Sequence, residues 1–293
     1  MPEYYCPDTV KDAVSLLERI RNGKILAGGT DLMVCRRKSG EEPAAYLDIT
    51  HIPRLRTIAM EEDKLWIGAA MTFAEVERSE QIKKYCVLLG QAAASVGSPQ
   101  IRSCGTIGGN IANASPAADI VPTLTALCAT VELEGPDGVR CVPVEDLIIG
   151  MGKTIMKPGE LLTGVYVPVL QSDARIAFDK IGRRKALAIA RMNGACVLRM
   201  HGAIIREAQL CIGAVMNQPR RCTAAEAVLQ GRQPDDALFR LAGEKVRQMI
   251  LQYTGMRASS AYKLPVVVDF TQNLLNKACS EGDGQGAAAL YSE

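Results

Sequence analysis

Two pairs of adjacent glycines, each following a short apolar segment, constrain this chain more than any other feature of its sequence. They lie in the runs Ile25-Leu26-Ala27-Gly28-Gly29-Thr30-Asp31-Leu32 and Thr106-Ile107-Gly108-Gly109-Asn110. Glycine has no Cβ, so successive backbone N–H groups at such loops can approach an anion closely. One pair alone is more often an ordinary tight turn. Together the two loops predict a site for an extended, phosphate-bearing ligand held by backbone donors.

Common nucleotide and hydrolase motifs are missing from the sequence. Neither loop is the Gly-x-x-x-x-Gly-Lys-Ser/Thr of a P-loop or the Gly-x-Gly-x-x-Gly of a Rossmann dinucleotide site. No Gly-x-Ser-x-Gly occurs, and neither His51 nor His201 lies in a recognisable hydrolase context. Mononucleotide hydrolysis, a Rossmann cofactor site and a catalytic triad therefore lose their sequence support.

Composition argues against several classes of partner. A formal charge of +2 and an aromatic content of 4% give no footprint for nucleic acid. The sequence has no apolar run of about 18 residues and no apolar signal core at Met1, so we expect no membrane span and a cytoplasmic location. The ten cysteines never form Cys-x-x-Cys. They are predicted to be reduced thiols, with no zinc site and no iron–sulfur cluster in this chain.

Residue periodicity predicts a mixed α+β chain. A helix is expected from Thr9, with Gly23 as its left-handed stop. Thr-x-x-Glu capping boxes at Thr72 and Thr223 each predict the start of a helix. Residues 176–181, 195–200 and 208–215 are predicted strands of a second sheet, which is followed by helices. The polar segment 168–175 is the expected domain boundary.

Four segments together resemble a known family. They read "ILAGGTDLM", "SPQIRSCGTIGGNIANASPAADIVPTL", "KPGELLTGVYVP" and "FDKIGRRKALAIA". In order and spacing they are similar to the FAD-binding subunits of the molybdenum hydroxylases. That group includes the xanthine dehydrogenase FAD subunit, the carbon monoxide dehydrogenase medium chain and the nicotinate dehydrogenase FAD subunit. The resemblance extends to about Gly282, and the chain looks most like bacterial xanthine dehydrogenase FAD subunits.

The resemblance implies a fold and its division into domains. An FAD-binding domain of the vanillyl-alcohol oxidase/p-cresol methylhydroxylase type is expected over residues 1–170, with subdomains of about 1–54 and 55–170. A smaller α+β domain with an antiparallel sheet and helices is expected over 175–280. Residues 281–293 are expected to be a mobile tail.

The resemblance also implies the site residues. The two glycine runs close on the FAD diphosphate from two sides, and Ser115 and Asp119 complete the phosphate and ribose contacts. A carboxylate suits a sugar hydroxyl better than a phosphate, so Asp119 belongs away from the diphosphate; the alternative is that it caps a helix. Leu162 matches an apolar contact to the flavin. Lys180 matches a position that reaches the ring system, where a cation would stabilise the anionic reduced flavin, and the alternative is an exposed strand lysine.

The implied role is electron transfer, with no catalytic residue and no metal ligand in this chain. Partner subunits would carry the [2Fe–2S] clusters and the molybdopterin, and NAD⁺ or another acceptor would take the electrons. The alternatives are the FAD subunit of a nicotinate or carbon monoxide dehydrogenase, a free-standing flavin oxidoreductase, and a cofactor-free accessory protein.

Overall fold

A computed structural model describes residues 1–171, 173–184 and 187–281 of the chain. The strands are β1 (Glu3–Tyr5), β2 (Gly23–Leu26), β3 (Ala45–Asp48), β4 (Ile58–Glu61), β5 (Lys64–Gly68), β6 (Thr130–Gly135), β7 (Gly138–Pro143), β8 (Ile148–Gly150), β9 (Lys153–Thr154), β10 (Leu161–Pro168), β11 (Ala174–Gly182), β12 (Ala190–His201) and β13 (Ile204–Gly213). The helices are α1 (Val10–Arg19), α2 (Leu32–Ser39), α3 (Phe73–Arg78), α4 (Glu80–Tyr85), α5 (Val87–Ala94), α6 (Pro99–Cys104), α7 (Ile107–Asn113), α8 (Ile120–Ala126), α9 (Val144–Leu147), α10 (Thr223–Leu229), α11 (Asp236–Thr254) and α12 (Ser260–Glu281). These elements give the predicted α+β composition.

A small parallel sheet in the order β1-β3-β2 forms the first unit. Helix α1 packs on it and begins one residue after the expected Thr9, whose side chain accepts a hydrogen bond from the Asp12 N–H as the N-cap. The predicted left-handed stop at Gly23 is wrong. Asn22 takes the positive φ of 59°, and Gly23 already belongs to β2. Asparagine tolerates this conformation, which explains why the glycine one residue later is free to enter the strand.

An antiparallel sheet in the order β4-β5-β10-β6-β7 forms the second unit. Helices α3, α5, α7 and α8 contribute to its core. The capping box at Thr72 is confirmed, because the Thr72 hydroxyl accepts from the Glu75 N–H and the Glu75 carboxylate accepts from the Thr72 N–H. Gly164 in β10 lies under the Trp66 ring, where an added Cβ would come within 2.2 Å of the indole.

A second antiparallel sheet, β11-β12-β13, forms the third unit. Its strands alternate between two cores, as the two-residue period of a strand requires. Phe178, Ala195 and Val197 face the core of the second unit. Cys196 and Leu198 face helices α10, α11 and α12. Both faces are therefore buried, and the sheet joins the two cores.

The predicted capping box at Thr223 is wrong. Cys222 is the N-cap of α10 and makes no side-chain cap bond. The Glu226 carboxylate instead accepts from the Leu210 N–H at 2.8 Å and pairs with Arg221. The Thr-x-x-Glu spacing that caps α3 does not cap α10. The Glu226 carboxylate binds the buried N–H of Leu210 instead, and so joins α10 to β13.

Two predictions remain open after this description. The domain boundaries stay predictions, and the expected tail lies outside the described residues except for Glu281, the last residue of α12. None of the helices in the described ranges combines the length and apolar character needed to cross a membrane.

Candidate functional site

A cleft of about 390 Å³ lies between the two glycine loops. It brings together residues of the first and second units that are far apart in the chain. The predicted site residues along its wall are Ile25, Ala27, Gly28, Gly29, Thr30, Asp31, Leu32, Thr106, Gly108, Gly109, Asn110 and Leu162. This volume is at the lower end of the range for pockets that hold drug-sized ligands, about 300–1,000 Å³.

Gly28 sets the separation of the two loops. A Cβ at this position would lie 2.0 Å from the Cys104 carbonyl oxygen and 2.8 Å from the Gly105 Cα. No side chain fits there, so glycine is required for the two backbones to meet. Gly29 follows with φ +67°, a conformation that glycine adopts without strain.

The first loop presents free backbone donors to the cleft. In the described part of the chain, the N–H groups of Gly28, Gly29, Thr30 and Asp31 have no hydrogen-bond acceptor. Helix α2 begins at the next residue, Leu32, so its N-terminal partial positive charge adds to these donors. A diphosphate could be held here by the backbone alone.

The second loop has one such free donor among the described residues, the N–H group of Thr106. Its next three N–H groups already bind the protein: Ile107 donates to the Met71 carbonyl, Gly108 to the Ala69 carbonyl, and Gly109 to the Thr106 hydroxyl. The Asn110 N–H donates to the Thr106 carbonyl. These four donors are therefore satisfied within the protein, and those of Ile107 and Gly108 fix the loop to the segment that follows β5. A backbone contact from this loop to a ligand stays a prediction, with the Thr106 N–H as its unpaired donor.

The second loop instead offers side chains. The Asn110 Oδ1 atom is buried and lacks a hydrogen-bond partner among the described residues. The Thr106 hydroxyl accepts from Gly109 and keeps its own proton to donate. Gly109 is exposed to the cleft. Gly108 packs against Ala69, and a Cβ added at Gly108 would lie 2.5 Å from the Ala69 Cβ.

A side-chain hydrogen bond joins the two loops. The Asn113 amide donates to the Asp31 carboxylate at 2.9 Å. Asp31 precedes α2, and its side chain makes no cap bond to that helix. The carboxylate is held against α7, on the opposite loop.

Part of the cleft wall is apolar. Phe73, Met156 and Leu162 line it, and Leu162 lies in β10 directly after a turn. Arg140 donates two hydrogen bonds to the Glu160 carboxylate, which also accepts from the Lys157 N–H. These donors lower the pKa of Glu160 and fix the turn that leads into β10.

Five predicted site residues are not part of the cleft wall. Ser115 accepts a hydrogen bond from the Ala117 N–H in the turn before α8. Asp119 and Lys180 form a buried ion pair, and Lys180 also donates to the Ser95 carbonyl at 3.0 Å. Leu26 and Ile107 belong to the two loops but are not part of the cleft lining, and Ile107 is in the core.

The Asp119–Lys180 pair joins the second unit to the third. Asp119 precedes α8, Lys180 lies on β11, and the Asn193 amide on β12 donates to the same carboxylate at 2.8 Å. Asp119 makes no cap bond, and the Lys180 side chain is only 13% exposed, so neither alternative role is found. Burial raises the pKa of the Asp119 carboxyl, and Lys180 and Asn193 offset part of that rise.

Sequence reasoning missed several residues of the cleft. Lys24 brings a cation to its edge, Asn113 joins the loops, and Met156 lines the apolar part of the wall. Lys24 and Asn113 are close in sequence to the glycine runs, and this proximity could have indicated that they belong to the site. Met156 precedes the turn into β10 and gives no such signal. Within the described ranges, no group of three or more His, Cys, Asp or Glu residues could hold a metal ion.

Two families match this sequence. Residues 1–170 match the family described as "FAD binding domain in molybdopterin dehydrogenase", and residues 177–278 match the "CO dehydrogenase flavoprotein C-terminal domain". A nicotinate dehydrogenase FAD-subunit of Eubacterium barkeri is 34% identical over 78% of this chain and 79% of its own length. A putative xanthine dehydrogenase FAD-binding subunit of Escherichia coli K12 is 29% identical over 96% of this chain and 97% of its own length.

A solved structure has the same architecture. A chain of carbon monoxide dehydrogenase from Hydrogenophaga pseudoflava superposes with a TM-score of 0.90 at 28% identity. The match covers 95% of this chain and 97% of that chain. The predicted fold, an FAD-binding domain followed by a smaller α+β domain, is thereby confirmed, and so is FAD as the cofactor.

Replacing Gly109 by valine is expected to lower FAD binding. The new side chain would enter the cleft, while its Cβ would meet only the Thr106 hydroxyl, at 2.8 Å. Overpacking of this kind costs about 1–3 kcal/mol, which corresponds to a loss of about five- to 150-fold in affinity. The measurement is the FAD-to-protein ratio after gel filtration. Gly150→Val is the matched control, because its Cβ would meet nothing nearer than 4.0 Å, and full FAD content in Gly109→Val would contradict the assignment.

Replacing Lys180 by methionine is expected to destabilise the fold by about 3 kcal/mol, because a buried carboxylate loses its cation. The loss should be smaller at pH 4 than at pH 7. A carboxyl whose pKa is raised by folding costs stability above its unfolded pKa, and protonation below that value removes the cost. Urea unfolding at the two pH values measures this.

The double variant Lys180→Met with Asp119→Asn is the control for that measurement. Asparagine carries no charge, so the double variant should lack the pH-dependent cost of a buried carboxylate that the single variant has. A Lys180→Met protein with unchanged stability at pH 7 would show that the ion pair does not hold the two units together.

Proposed function

Because this chain belongs to the FAD-binding family of molybdopterin dehydrogenases, we propose that it is the electron-transfer subunit of a xanthine dehydrogenase-like complex. In this proposal a partner subunit holds [2Fe–2S] clusters, and another holds the molybdopterin that oxidises the substrate. Electrons pass from the clusters through this chain to NAD⁺ or another acceptor. The full-length similarity to a relative named as a xanthine dehydrogenase FAD-binding subunit supports it.

The residues of the cleft fit FAD. The observation that carries the proposal is the set of four unpaired N–H groups at Gly28–Asp31, which suits a diphosphate at the N-terminus of α2. The buried, unpartnered Oδ1 of Asn110 supplies an acceptor for a hydroxyl on the opposite wall. When bound, FAD supplies the capacity to accept and release electrons.

The chain's own residues bind and orient the cofactor. The cleft wall combines the backbone donors of the first loop with the apolar side chains of Phe73, Met156 and Leu162, which suits an extended ligand with one charged and one apolar region. We propose that Lys180, with Asp119 and Ser115, reaches the flavin end when the cofactor is bound. A lysine paired with a buried carboxylate would hold its charge in a fixed place beside the ring.

A nicotinate dehydrogenase-type complex is the second candidate. The Eubacterium barkeri relative is 34% identical, against 29% for the Escherichia coli relative, although it covers less of the chain. In either case the substrate pocket would lie on another polypeptide, so the cleft of this chain serves both candidates equally.

The purified chain is expected to carry about one FAD and no iron, and its reduced form is expected to be reoxidised anaerobically by NAD⁺. Absorption spectroscopy, with iron and acid-labile sulfide assays, tests the first expectation, and stopped-flow spectroscopy tests the second. Failure to bind FAD even with excess cofactor would contradict the proposal. FAD binding without reoxidation by NAD⁺ would contradict only that acceptor.

The complex itself tests the substrate. Co-purified with its partner subunits, the chain should show flavin bleaching on addition of xanthine and none on addition of nicotinate. The reverse result would favour the second candidate. Bleaching by neither would contradict both.

A further inference from the structure

Four cationic side chains converge on one surface of the third unit. Arg191 is the second residue of β12, and Arg220 follows β13. Arg257 lies between α11 and α12, and Lys263 lies in the first turn of α12. Within the ranges that the structure describes, none of them forms an ion pair with a carboxylate. Four like charges without a counterion repel one another, so some other interaction must justify the arrangement.

Lys263 is the centre of this repulsion. Its side chain is partly buried, and its Nζ donates to the Ala214 carbonyl at 2.6 Å. Burial lowers the pKa of Lys263, and the nearby charges of Arg191 and Arg257 lower it further. A bound anion would remove this cost, because it would compensate all three charges at once.

Aromatic rings hold two of the arginines in place. The Arg220 guanidinium lies 4.6 Å from the centre of the Tyr253 ring, and the Arg191 guanidinium lies 5.4 Å from the Tyr262 ring. Arg220 also donates to the Gln218 side chain at 2.9 Å. Planar cations fixed in this way lose little entropy when they bind an oxyanion, and their donors match its geometry.

A cavity adjoins two of these cations, Arg220 and Arg257. It has a volume of about 230 Å³, and its wall includes Asn217, Gln218, Arg220, Tyr253, Thr254 and Arg257. The amide, hydroxyl and guanidinium groups can all donate hydrogen bonds to phosphate oxygens. The cavity shares no lining residue with the cleft between the glycine loops.

We propose that Arg191, Arg220, Arg257 and Lys263 form a second anion site, which binds the phosphate groups of a small ligand. Inorganic diphosphate and a nucleoside diphosphate share this chemistry. The cavity beside Arg220 and Arg257 has room for more than the phosphates, which distinguishes the two sources in the experiment below. The site goes beyond the electron-transfer function and does not depend on it.

Isothermal titration calorimetry of the FAD-loaded chain with inorganic diphosphate, ADP and adenosine tests the proposal. Diphosphate and ADP should bind, adenosine should not, and raising the salt concentration should weaken both. Tighter binding of ADP than of diphosphate would identify a nucleotide as the ligand, and equal binding would identify the free anion. No binding by either would overturn the proposal, as would a flat salt dependence.

Two variants locate the site. Arg257→Gln and Lys263→Gln should each weaken diphosphate binding about tenfold, because each removes a charge-assisted hydrogen bond. Arg206→Gln is the matched control, since Arg206 is an exposed arginine of the same unit on β13, outside this cavity. FAD content and thermal unfolding report whether each variant is folded. Unchanged binding in folded Arg257→Gln would overturn the proposal, as would binding of a purified acidic protein partner in place of diphosphate.

Discussion

The contact of Gly28 with the backbone at Cys104 and Gly105 is the constraint on which the rest of the structure depends. It brings the parallel sheet and the antiparallel sheet together with no intervening side chain, and so sets the width of the cleft. The N–H groups of the two loops then have different roles. The second loop uses the N–H groups of Ile107 and Gly108 to attach itself to Met71 and Ala69, and the first keeps its N–H groups for a ligand.

A buried ion pair performs the corresponding task at the other junction. Asp119 and Lys180 link the second unit to the third, and Asn193 completes the hydrogen bonding of the carboxylate. Removing one charge of such a pair is costly, because the other remains buried. The pair places a buried lysine between the second and third units.

Local features were predictable from the sequence, and long-range ones were not. The Thr72 capping box involves residues three apart, so its spacing was a sufficient signal. The same spacing failed at Thr223, because Glu226 found a strand N–H that no local pattern reveals. Likewise the glycines of the second loop marked a close approach, yet only the fold shows that Ala69 and Met71 take its donors. The Asp119–Lys180 pair spans 61 residues and had no sequence signal beyond the family resemblance.

Hydrogen–deuterium exchange of the backbone amides, with and without FAD, tests the different roles of the two loops most directly. In the apo chain the amides of 107–110 should already exchange slowly, because they have acceptors in the protein, and those of 28–31 should exchange fast. FAD should slow exchange at 28–31 and change little at 107–110. Protection gained at 107–110 with none at 28–31 would contradict the account.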